Sequence, residues 1–156
     1  MEINQDRIIL IDKPLQWTSF DVVNKLREKL QIKKIGHAGT LDPLATGLLI
    51  LCTGKMTKRV DEFQAQEKEY TGSFTIGATT PSYDREREVD QTFPIDHITE
   101  EMIVEAAKTF IGEIMQMPPD HSAVKVDGKR AYEYARKGKA VDIKPRPITI
   151  SEFEIT

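Results

Sequence analysis

The chain has 156 residues, enough for one domain with a real core. Its 39% hydrophobic and 30% charged residues argue against a disordered chain, and no apolar stretch nears the roughly 20 residues a membrane helix needs. Residues 1–7 are polar and lead into no signal-like apolar segment, and the single Cys52 cannot form an internal disulfide, so a cytoplasmic protein is expected.

Residues 7–12, RIILID, read as a short buried strand, and KPLQW then turns the chain. Thr18 or Ser19 can cap a helix that ends near Gln31 and carries Phe20, Val23, Leu26 and Leu30 on one side. Residues 33–43 read as loop. The unbroken run 48–52, LLILC, predicts a strand buried on both faces and makes Cys52 an inert buried thiol. Residues 56–65 predict a short helix. Residues 68–80 alternate, which predicts a strand with Tyr70, Gly72, Phe74 and Ile76 on one face. A charged loop follows over 81–94. Thr99 caps a helix running to about Ile111, with Glu100 and Glu101 in its first turn and Gly112 as its stop. Residues 115–126 read as extended with a Pro-Pro break, 131–137 as a short helix, and 148–155 as a last strand. Strands and helices intermingle without a βαβ rhythm, so a mixed α/β or α+β domain is expected rather than a doubly wound sheet.

The net charge is −3, but it is unevenly spread. Residues 125–146 hold eight Lys/Arg and three acids, a local +5 on a remainder of −8. Such a basic segment can be a footprint for phosphates, and it can equally be a solvated surface. Three histidines (37, 97, 121) and one cysteine show no metal-ligand spacing, and GKMTK lacks the first half of a phosphate-cradling motif.

The stretch GHAGTLDPLATG, residues 36–47, is the most telling. Gly36 and Gly39 allow backbone angles that other residues resist. Pro43 fixes the chain just after Asp42 and biases Asp42 itself toward extended geometry. A carboxylate on so stiff a loop suits a nucleophile or a general base. It also suits a turn cap, with His37 bonded to the loop, and local physics leaves both open. Continued through GLLILCTGKMTK, the stretch resembles the catalytic motif of the TruB family of tRNA pseudouridine synthases, shared with their dyskerin relatives. LIDKPLQWTSFDVVNKLR (10–27), KEYTGSFTIGATTPSYDRE (68–86) and MPPDHSAVKVDGKRAYEYARKG (117–138) resemble further family blocks in the family's order.

The resemblance implies a pseudouridine-synthase-like catalytic domain with a mixed, mainly antiparallel sheet. It implies isomerisation of uridine 55 in the T stem-loop of tRNA, with no cofactor and no metal. By the same resemblance Asp42 is the catalytic carboxylate, Tyr70 stacks on the target base, His37 accommodates flipped-out bases, and Asp84 lies near the active site. Lys13 and Pro14 belong to the motif that supports the catalytic loop, and Lys13 is counted with the substrate-binding set. Lys125, Lys129 and Arg130 open a basic insertion, about residues 125–146, that grips the RNA. Two departures stand out. His121 replaces the family's tyrosine in Pro-Pro-x-Tyr-Ser-Ala. The chain also ends at Thr156 without the Gly-x-Tyr-Ile/Val-Arg block, whose arginine pairs with the catalytic aspartate, and without a small C-terminal RNA-binding domain. The expectation is therefore a partial catalytic domain over residues 1–156, with exposed apolar surface, self-association and weak or no turnover. The competing reading is a catalytically silent tRNA-binding fragment. A hydrolase using a lone aspartate would need a second carboxylate or a metal that the sequence does not supply.

Overall fold

The run of β-branched and aliphatic residues at the start of the chain pairs as its composition predicts. The computed structural model describes residues 6–118 and 143–156, together with the backbone of 125–126 and 129–130. It divides into two compact units, Met1–Ser73 and Phe74–Thr156.

In the first unit, β1 (Ile8–Lys13), β2 (Ile35–His37) and β3 (Gly47–Thr53) form an antiparallel sheet in the order β1-β3-β2. β3 is central, with Leu10 opposite Ile50 on one side and His37 opposite Leu51 on the other. Between β1 and β2 runs α1 (Ser19–Leu30). Its start is a full capping box: the Thr18 hydroxyl accepts from the Asp21 amide, and the Asp21 carboxylate accepts from the Thr18 amide. Val22 and Val23 of α1 bury against Leu49 and Leu51, with Ile9, Ile11, Leu26 and Ile35 around them. Each such fully buried Val or Leu is worth about 1.5–3 kcal/mol. The residues after β3 form a 3-10 turn (Gly54–Arg59) and a short helix, α2 (Val60–Gln64). Val60 lies over Gly36, and Cys52 is fully buried, which pushes its thiol pKa up and makes it a poor nucleophile.

Several expectations change here. The buried face of α1 is Ser19, Val22 and Val23, while Phe20 and Leu30 are exposed. A helix only partly covered by one small sheet buries a narrow stripe, so the ends of the apolar row stay in solvent. Residues 33–43 are not all loop, because β3 recruits Ile35–His37 as an edge strand. β3 is buried on both faces only in its second half, since Leu48 is 63% exposed.

In the second unit, β4 (Ala78–Thr79) pairs with β5 (Gln91–Thr92), and β6 (Gly112–Gln116) pairs with β9 (Arg146–Ile150), both antiparallel. Between them lies α3 (Glu100–Lys108), capped by the Thr99 hydroxyl as expected, but ending before Ile111. Gly112, at φ +101°, opens β6. The backbone of β7 (Lys125–Val126) pairs with β8 (Lys129–Arg130). The expected strand over 68–80 is not formed: residues 67–75 carry no ladder, and only Ala78–Thr79 pair. Alternation shows which side chains could share a face, but a strand is held by a partner strand's ladder, and among the described residues none pairs with 68–75. The last strand ends at Ile150 rather than 155. The helix expected over 131–137 lies outside the described residues, as does His121. No helix among the described residues is long and apolar enough to cross a membrane.

Candidate active site

Asp42 sits on the loop between β2 and β3, and that loop is held at nearly every peptide. Gly39 and Gly47 bracket it at φ +105° and +115°, angles that side-chain-bearing residues resist. Gly36, by contrast, is an ordinary strand residue of β2. The Ala45 amide donates to the Asp42 carbonyl at 3.0 Å, closing a tight turn through Pro43. The Gly47 amide donates to Asp12 Oδ1 at 3.1 Å, tying the end of the loop to β1. His37 Nδ1 donates to the Gly39 carbonyl, which in the neutral ring leaves Nε2 as an acceptor.

A second loop, residues 14–18, braces the first. The Gln16 amide donates to the Pro43 carbonyl at 2.7 Å, with Gln16 itself at φ +66°. The Ser19 hydroxyl accepts from the Leu41 amide at 2.9 Å and donates to the Leu41 carbonyl at 3.2 Å. Beneath this brace lies Lys13, whose side chain is fully buried. Its Nζ donates to the Pro14 carbonyl at 3.0 Å and the Trp17 carbonyl at 2.5 Å. A buried ammonium needs such partners, and these two carbonyls set the shape of the turn. Lys13 thus supports the turn from inside the fold, in keeping with the motif it belongs to. The Asp42 side chain, at the centre, is exposed, and among the described residues its carboxylate makes no hydrogen bond or ion pair. A backbone fixed on both sides and a carboxylate left open to a ligand is the layout of a preorganised reactive group.

The profile of the TruB family pseudouridylate synthase N-terminal domain matches residues 27–156. A tRNA pseudouridine synthase B of Flavobacterium johnsoniae is 59% identical, over 99% of this chain and 71% of the relative. That of Phocaeicola vulgatus is 55% identical, over 99% of this chain and 68% of the relative.

The chain belongs to the TruB family of pseudouridylate synthases.

A chain in the crystal structure of a Cbf5-Nop10-Gar1 complex resembles this TruB-family fold with a TM-score of 0.52 at 29% identity, covering 78% of this chain and 31% of that one. The other expected site residues of the TruB-family chain are spread along it. Tyr70 is 73% exposed, on the segment that ends the first unit, which joins no ladder among the described residues. Asp84, in the second unit, organises its own turn: Oδ1 accepts from Ser82 Oγ at 2.5 Å and from the Glu86 amide at 3.0 Å, while the Thr80 hydroxyl donates to its carbonyl at 2.6 Å. Lys125 and Arg130 face each other in register on the β7–β8 ladder, next to Lys129. Among the described residues no group of three or more His, Cys, Asp or Glu could hold a metal ion.

Reading residue by residue missed Ser19, Gln16 and Gly47. Ser19 had a signal: it stands three, four and seven residues before Val22, Val23 and Leu26, so its hydroxyl falls on the apolar face of α1. A hydroxyl there needs a partner, and the partner is the Asp42 loop. Gln16 carried no signal, because nothing in its residue type announces a left-handed backbone.

Proposed function

We propose that this chain isomerises uridine 55 in the T stem-loop of tRNA to pseudouridine, with Asp42 as the catalytic carboxylate. The observation that carries the reading is the Asp42 loop, rigid in its backbone and open at its carboxylate, in a chain of the TruB family. The reaction detaches the uracil from C1 of the ribose, turns it and rejoins it through C5. The carboxylate acts at C1, at C6 of the base, or on the ribose C2 proton, and each role needs it ionised and fixed against the sugar or base.

The base must first leave its stack, at a cost of a few kcal/mol. The exposed Tyr70 ring suits stacking on the extruded base, which recovers about 1–3 kcal/mol. The remainder comes from phosphate contacts, for which Lys125, Lys129 and Arg130 in the +5 segment are the fitting residues, and from the complementary shape of the loop. His37 and Asp84 complete the proposed substrate contacts. The exposed Leu10 and Leu48 on the sheet face away from α1 also favour self-association of the chain.

The test is tritium release from 5-tritiated uridine in a T-arm stem-loop RNA. Release by the wild type and none by Asp42→Asn, with RNA affinity unchanged, is the expected outcome. Binding without release by the wild type would instead make the chain a silent RNA-binding protein.

A further inference from the structure

Asp42 has two flanking peptides, and different devices hold each. Downstream, Pro43 restricts Asp42 to extended geometry and the Asp42 carbonyl is taken by the Ala45 amide at 3.0 Å, while one peptide further on the Pro43 carbonyl is taken by the Gln16 amide at 2.7 Å. Upstream, the Leu41 amide and the Leu41 carbonyl both end on one atom, Ser19 Oγ, at 2.9 and 3.2 Å. The carbonyl belongs to the peptide that carries the Asp42 nitrogen. Its direction therefore sets where the Asp42 Cα–Cβ bond points. Ser19 is itself held hard: it is 2% exposed, in the first turn of α1, beside Val22 and Val23 of the core. The hydroxyl is thus a rigid peg that plays the part of a missing ladder partner for a loop residue 22 positions away.

We infer that Ser19 is a positioning residue for the pseudouridine-forming reaction: its hydroxyl aims the Asp42 carboxylate through the Leu41 backbone and touches no substrate. This rests on the reading of Asp42 given above. A misplacement of about 1 Å at a reacting group can cost on the order of 100-fold in rate. Loss of the peg should therefore appear in the chemical step and not in RNA affinity.

The experiment uses the full chain with Ser19→Ala, Ser19→Thr and Asp42→Asn. Tritium release is followed in single turnover at saturating T-arm RNA, and RNA affinity is measured separately. Rates are compared at a temperature where circular dichroism shows every variant folded. The expected result is a release rate at least about tenfold lower in Ser19→Ala, with Kd within about twofold of wild type and the rate largely restored in Ser19→Thr. Amide exchange read by NMR should also show the Leu41 N–H protected in the wild-type chain. That measurement stands even if Ser19→Ala does not fold, and a fast-exchanging Leu41 amide overturns the inference. A full rate in Ser19→Ala, or a weakened Kd at unchanged rate, overturns it while leaving Asp42 in place. Absence of release by the wild type removes the reading of Asp42, and this inference with it.

Discussion

Replacing Lys13 by Met removes a buried ammonium while keeping most of the volume of its stem. In the wild type Nζ makes two hydrogen bonds, to the Pro14 and Trp17 carbonyls at 3.0 and 2.5 Å. Bonds from a charged donor contribute about 1.5–3 kcal/mol each, so their loss costs roughly 3–6 kcal/mol. Two effects offset this. The ammonium no longer pays for burial, which is worth several kcal/mol, and both orphaned carbonyls belong to surface residues that water can reach. A net loss of about 2 kcal/mol is expected. With a urea slope of about 1–3 kcal/mol/M, the midpoint should fall by roughly 1 M. The only tryptophan is Trp17, whose own carbonyl is one of the two acceptors, so its fluorescence reports both the transition and the shape of the turn. Lys13→Ala should be worse than Lys13→Met, because it also leaves a cavity. An unchanged midpoint and unchanged Trp17 emission in Lys13→Met would refute the claim that Lys13 braces the loop under Asp42.

The two ends of the motif should respond differently to an added methyl group. At Gly47 (φ +115°) a Cβ meets nothing within 4 Å, so Gly47→Ala should lose about 1–3 kcal/mol through backbone strain alone. At Gly36 a Cβ meets only Val60 Cγ2 at 3.8 Å, so Gly36→Ala should keep its urea midpoint; equal losses at both positions would contradict this account. The Asp21 carboxyl is held below its ordinary pKa, first by the Thr18 hydroxyl, then by the Thr18 amide, with a smaller contribution from Lys13. Because the folded pKa is depressed, the unfolded chain takes up the proton first. The stability this gives is present above about pH 4 and is lost as pH falls through the lower folded value. Urea midpoints followed at Trp17 should therefore drop less steeply below pH 4 in Asp21→Asn than in the wild type, and parallel curves would count against the capping box.

Much of this protein was legible from residue order because the signals were local. Ile8–Lys13 and Gly47–Thr53 are strands because their aliphatic runs suit nothing else at that length, and α1 begins at Thr18 because its capping box lies within four residues. The Asp42 turn was legible for the same reason, since Gly39 and Pro43 shape the backbone wherever they stand, although Gly36 proved an ordinary strand residue and Gly47 the second left-handed one. Partnership between distant residues was not legible. Residues 68–76 alternate like a strand yet join no ladder among the described residues, while Ile35–His37 looks like loop and is claimed by β3, because a strand exists only where another supplies its hydrogen bonds. Likewise nothing in the order of residues shows that the Lys13 ammonium is fully buried on two carbonyls, and Ser19 reads as a helix start and is the clamp on Leu41. The clamp of Ser19 on Leu41 joins groups 22 residues apart, and the tie from Gly47 to Asp12 joins groups 35 apart; only the packing of α1 and β1 around the Asp42 loop brings them within hydrogen-bond reach.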